Sequence, residues 1–195
     1  MSTTALVIEH LITGLQAAIW LSLLVLTAFG WNWINLTVLK DFTTILTFVG
    51  LATVYPIGIF VDELADFVFK PWMKQIRKKR FRLEGFDPND LDLTTMNLLQ
   101  KTDDEFLKTY FNYIRMRIRV SRSTTLNLAL ITITALLFTT VRFSNSKSFA
   151  LIIFVVIFVG ILLTALSTWV WCGVSDTFAK QTLRAFKSNS NVPLR

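Results

Sequence analysis

Two carboxylates four residues apart, Asp62 and Asp66, interrupt a long apolar stretch. On a helix they share one face, while Glu63 points elsewhere. Carboxylates so placed can pair with guanidinium groups, exchange protons, or offer oxygens to a passing cation. An intramembrane protease dyad draws its acids from two facing helices, and here one helix carries both. Other ionisable residues fringe the remaining apolar runs: Glu9 and His10 lie within the first, Arg119 and Arg122 precede the third, and Asp176 follows the fourth. His10 is the only histidine, and with only carboxylates nearby a metal centre is not expected. A proton-sensing role for His10 beside Glu9 competes with a hydrogen-bonded structural one.

The elements that must position these residues are helices. The chain is 53% hydrophobic and 17% charged, well below the roughly 25% charge of ordinary soluble domains. The apolar residues collect into four runs, at about 5–29, 42–69, 124–141 and 149–172. About 20 apolar residues at 1.5 Å each cross a bilayer core of about 30 Å. The expectation is an all-α integral membrane protein: helices 1 and 2 within 1–69, a basic helical region at 70–123, helices 3 and 4 within 124–172, and a tail at 173–195. Gly30 is placed to end the first helix, and Trp31 and Trp33 suit a headgroup layer. Pro56 and Gly58 predict a kink in the second. Gly85-Phe-Asp-Pro88 reads as a turn, and 92–100 as a short amphipathic helix. Thr102-Asp-Asp-Glu105 fits a capping box, and no breaker follows until after Val141. One helix is therefore predicted from about Asp103 to Val141, making the third span continuous with a cytosolic helix. Residues 142–148 make a tight turn.

Lysine and arginine set the expected orientation. The middle region 70–123 and the tail after Cys172 hold 17 of them, and the two other connections hold 3. By the positive-inside rule the basic regions and both termini are expected to be cytoplasmic. That topology brings Glu9, His10, Asp62, Asp66, Arg119, Arg122 and Asp176 to one layer. A charge within hydrocarbon costs at least about 2.5 kcal/mol, so this layer is expected to pair internally, Asp62 or Asp66 with Arg119 or Arg122. The competing reading is a polar vestibule for ions.

The net charge of +7 does not point to nucleic acid, because the basic residues gather beside apolar runs. Lys74, Arg77, Lys78, Lys79, Arg80, Arg82, Arg115 and Arg117 are the candidates for lipid or partner contact. Each is worth about 1 kcal/mol near an anionic surface, and the same collar suits an acidic soluble partner or a nucleotide. The single Cys172 excludes an internal disulfide and a thiolate-rich metal site. Signatures of nucleotide-binding, hydrolase and redox enzymes are missing, so neither a cofactor nor catalysis is expected. The third span carries Thr124, Thr125, Asn127, Thr132, Thr134, Thr139 and Thr140 on several faces, which favours packing between helices over a pore lining. Gly160 and Thr164 allow close helix contact. Asn35-Leu36-Thr37 matches a glycosylation sequon.

Tyr55-Pro-Ile-Gly58, then Asp62 and Ala65-Asp66, then a basic run, resembles a pattern in small uncharacterised bacterial four-span inner-membrane proteins. The resemblance covers about 15 residues. It implies a bacterial inner membrane and no activity. Proteins of this layout also occur in antiphage defence operons, where they multimerise and work with a cytosolic partner. The sizeable basic region set against negligible outer connections leads to the expected function, a non-enzymatic homo-oligomeric scaffold or sensor that recruits a soluble partner. The acidic layer and threonine-rich third span motivate the alternative, a channel or membrane-permeabilising effector.

Overall fold

The computed structural model describes residues 3–32, 40–85 and 105–189, with side chains described over 7–32, 40–85 and 105–185. Four long helices make up nearly all of these: α1 Thr3–Phe29, α2 Thr43–Leu83, α3 Glu105–Phe143 and α4 Phe149–Asn189. No strand occurs among the described residues. Each helix contains a stretch long and apolar enough to cross a membrane. The expected amphipathic helix at 92–100, the capping residues Thr102 to Asp104, Trp33, the Asn35 sequon and the end of the tail lie outside the described residues.

The helices outrun the apolar spans. α2 continues through Pro56 and Pro71 for 41 residues, because nothing between Trp72 and Leu83 breaks a helix. Arg80 and Arg82 occupy its last turn, where cations complement the helix dipole. The basic helical region expected from residue 70 thus begins as nearly four further turns of α2. α4 likewise runs past Cys172 to Asn189. Gly30 ends α1 with a φ of 73°, a left-handed conformation that favours glycine, and its N–H donates to the Leu26 carbonyl at 2.9 Å.

α1 packs on α2 and α3, and α4 packs on α3 and α2. The α1–α2 crossing rests on a reciprocal pair of glycines. A Cβ at Gly14 would fall on the Val54 carbonyl, and a Cβ at Gly58 would fall on the His10 carbonyl. Each helix therefore presses a bare Cα against the other's backbone, one turn apart. This gives Gly58 a packing role beside the kink expected of it. Gly160 of α4 similarly receives the Thr132 side chain of α3.

Burial is inverted along the apolar stretches. Phe48, Phe60, Phe154, Phe158 and Ile161 are exposed, while Glu9, Thr13, Asp62, Arg122, Ser123 and Asn127 are buried. A protein facing water hides the first kind and shows the second. The buried apolar cores lie instead near one end. There Ala65, Phe69, Ile114, Ile118 and Trp171 cluster, with Phe81, Ala179 and Leu183 further along α2 and α4.

Candidate functional site

The antiparallel order puts the start of α1, the second half of α2, the first half of α3 and the second half of α4 at one end of the bundle. Asp62 sits there at the junction of α2 and α3. Its Oδ2 accepts from Arg119 Nε at 3.2 Å and Nη2 at 3.1 Å. Its Oδ1 accepts from Arg122 Nη2 at 3.1 Å and from the Ser123 hydroxyl at 2.9 Å. Arg122 also reaches the Asp66 carboxylate through Nη1 and the Asp62 carbonyl at 3.4 Å. The i, i+4 spacing of Asp62 and Asp66 thus forks one buried guanidinium between them. Arg119, Arg122 and Ser123 fall on the facing side of α3 because three or four residues make one turn.

Glu9 brings α1 into this network on different terms. Arg119 Nε stands 3.2 Å from Glu9 Oε1, yet its N–H is directed to Asp62. Glu9 has a side chain only 2% exposed and no hydrogen-bond partner for either oxygen among the described residues. It therefore feels the guanidinium's charge without satisfying its lone pairs. His10 is buried beside it, with its ring edge-on to Tyr55 at 5.8 Å.

A second polar junction lies one to two turns deeper. Asn127 of α3 donates to the Thr13 carbonyl at 3.0 Å and to Gln16 Oε1 at 3.3 Å. Its own Oδ1 accepts from Trp20 Nε1 at 3.1 Å. Thr125 shares a hydrogen bond with Ser167 of α4 at 2.8 Å. Thr132, Thr134, Thr139 and Thr140 bond carbonyls of their own helix. These five threonine hydroxyls of α3 are thus absorbed by packing and backbone.

Asp176 does not join the layer predicted for it. It pairs with Arg80 instead, tying α4 to α2 further toward the helix ends. Arg80 accordingly differs from its neighbours in the basic collar. Lys74, Lys78, Lys79, Arg82 and Arg115 are exposed, and no ion pair engages them among the described residues. Arg77 lies 5.5 Å from the centroid of the Phe81 ring and Arg117 5.8 Å from that of Tyr113.

Three residues that carry structure have no place in the sequence reading: Thr13, Gly14 and Ser123. Ser123 had a usable signal, since a serine one residue past Arg122 on the expected inner layer is a natural donor to a facing carboxylate. Chemically, the arrangement holds three helices by charge and leaves a cationic surface beside the junction. Among the described residues no three His, Cys, Asp or Glu side chains converge as metal ligands. No protein family matches the chain, and neither a curated protein nor a solved structure is significantly similar to it.

Proposed function

We propose that the chain is a non-enzymatic membrane scaffold or sensor that recruits an acidic soluble partner. In this reading it inserts as four spans with both termini cytoplasmic, assembles with copies of itself, and presents the end of α2 to the partner. The observation that carries the reading is the trio Lys78, Lys79 and Arg82. These three exposed cations sit on a continuous helix that Phe81 and the Arg80–Asp176 pair hold to α4. A preorganised cationic face favours encounter with an acidic partner and loses strength with salt. The inverted burial of the spans supports lipid as the surrounding solvent, and the 17-to-3 distribution of basic residues supports the orientation. A role in bacterial stress or antiphage defence is supported by the four-span layout alone.

The buried ion pairs weigh against the channel alternative. Asp62 is saturated by Arg119, Arg122 and Ser123, whereas a conducting mouth leaves its carboxylates to ions.

The test is Lys78→Glu, Lys79→Glu and Arg82→Glu together, with Arg80 kept because it ties α2 to α4. Recovery of a stoichiometric soluble protein with the tagged chain should fall at least about tenfold. The amount in the membrane and the mass of the purified oligomer should not change. Undiminished recovery would refute the recruitment reading. Cysteine labelling from each side of sealed vesicles, at positions 79 and 147, checks the orientation separately.

A further inference from the structure

Beside the buried network a cavity of about 600 Å³ opens between α2, α3 and α4. Lys70, Lys74 and Arg77 line it from α2, and Arg115 lines it from α3. None of the four has a carboxylate partner among the described residues. Asp62 and Asp66, which also border the cavity, are engaged by Arg119 and Arg122. Glu63 remains as the only other acid on its wall. Four cations against one carboxylate is a local surplus of positive charge, and like charges held on facing helices repel. A bound anion would relieve the arrangement.

We infer that this cavity is a binding site for a phosphate group, with Lys70, Lys74, Arg77 and Arg115 as its donors. Phosphate fits for three reasons. Its multiple negative charge matches the surplus, its oxygens suit the fork of an arginine as well as the point charge of a lysine, and the site lies where phosphates are abundant. Trp72, which is exposed, stands between Lys70 and Lys74 on α2, and exposed tryptophans mark the headgroup layer of a bilayer. Met73, Ile118 and Phe178 supply an apolar wall for whatever carries the phosphate. The packing of Arg77 against the Phe81 ring orients one donor in advance. The carrier is either a phospholipid headgroup or a soluble phosphate compound. The inference adds a ligand to the membrane reading above and does not depend on partner recruitment, which uses Lys78, Lys79 and Arg82.

The experiment uses the full chain in phosphatidylcholine nanodiscs, with or without a minor fraction of phosphatidic acid. Retained lipid is counted by native mass spectrometry. In a parallel arm, inorganic pyrophosphate is added to the phosphatidylcholine discs and the thermal unfolding midpoint is read. Retention of phosphatidic acid identifies the headgroup as carrier, and a pyrophosphate-dependent rise identifies a soluble one. Lys74→Gln with Arg115→Gln should weaken the effect roughly fivefold per cation, about thirtyfold together. Lys78→Gln with Lys79→Gln removes the same charge outside the cavity and should leave it within about twofold. Glu63→Gln should strengthen it, a gain that a misfolded variant cannot mimic. Absence of both effects in the natural chain, or equal losses in the two double variants, would overturn the assignment.

Discussion

At one end of the bundle α1, α2 and α3 meet through buried guanidinium and carboxylate groups, and α4 is tied to α2 by the Arg80–Asp176 pair and the Phe69–Trp171 contact at 4.9 Å. At the other end α1 and α3 meet through Arg142, which donates to the Thr27 carbonyl at 2.8 Å, and through Trp31 against Phe138 and Phe143. There the first turns of α2 are exposed. The contrast shows where specificity resides. In the bilayer setting proposed above, apolar side chains gain little by touching one another, so van der Waals fit and polar contacts would fix the packing. The loop end has few of either. The charged end has glycine-enabled backbone contact and a network in which a missing member leaves a charge unpaired.

Four comparisons would break or sharpen that contrast, read as unfolding in mild detergent. The largest effect is expected for Arg122→Leu, which takes Asp66's guanidinium partner away and leaves Asp62 to Arg119 and Ser123. Removing one partner of a buried pair costs about 3–5 kcal/mol, whereas Arg142→Ala at the loop end should cost about 1 kcal/mol. Next, Gly58→Leu must push α1 off the His10 carbonyl and should cost about 3 kcal/mol or more, the upper range for overpacking. Gly50→Leu, at a position open to its surroundings, should change stability by no more than about 0.5 kcal/mol. Third, Asp62→Asn should cost about 2 kcal/mol by weakening several charge-assisted bonds. Asp66→Asn should cost under about 1 kcal/mol, since its side chain is 44% exposed. Smallest is the coupling between Arg80 and Asp176 in a double-mutant cycle. Asp176 is 45% exposed, so solvent screening limits it to about 0.5 kcal/mol.

Much of this architecture is legible in the sequence. The four apolar runs correspond to four helices because about 20 apolar residues leave few other options. Alternation of direction then brings Glu9, Asp62, Asp66, Arg119 and Arg122 together without knowledge of any contact. Asp176 departs from the same logic. The layer argument places residues by depth alone, and Asp176 lies where Arg80, also beyond the span, is a nearer partner. That α2 continues unbroken into the basic region is harder to read, because a change from apolar to basic composition resembles an element boundary, although lysine and arginine are good helix formers. The glycine pair was half visible. Gly58 draws attention through Pro56, but Gly14 has no local signal, because its reason is the Val54 carbonyl on another helix. Asn127 stood out as an amide in an apolar span, yet only its three partners on α1 show that it joins helices.

The claim that the charged end is a paired lock rests on Asp62 and Arg122. It is tested most directly by a double-mutant cycle with apolar replacements, Asp62→Leu and Arg122→Met. A lock predicts that each single change costs about 3–5 kcal/mol, while the double change costs clearly less than the sum of the two, because the Asp62–Arg122 pair is lost only once. Two modest costs that simply add in the double variant would contradict it, and would mean that the helices are held by other contacts.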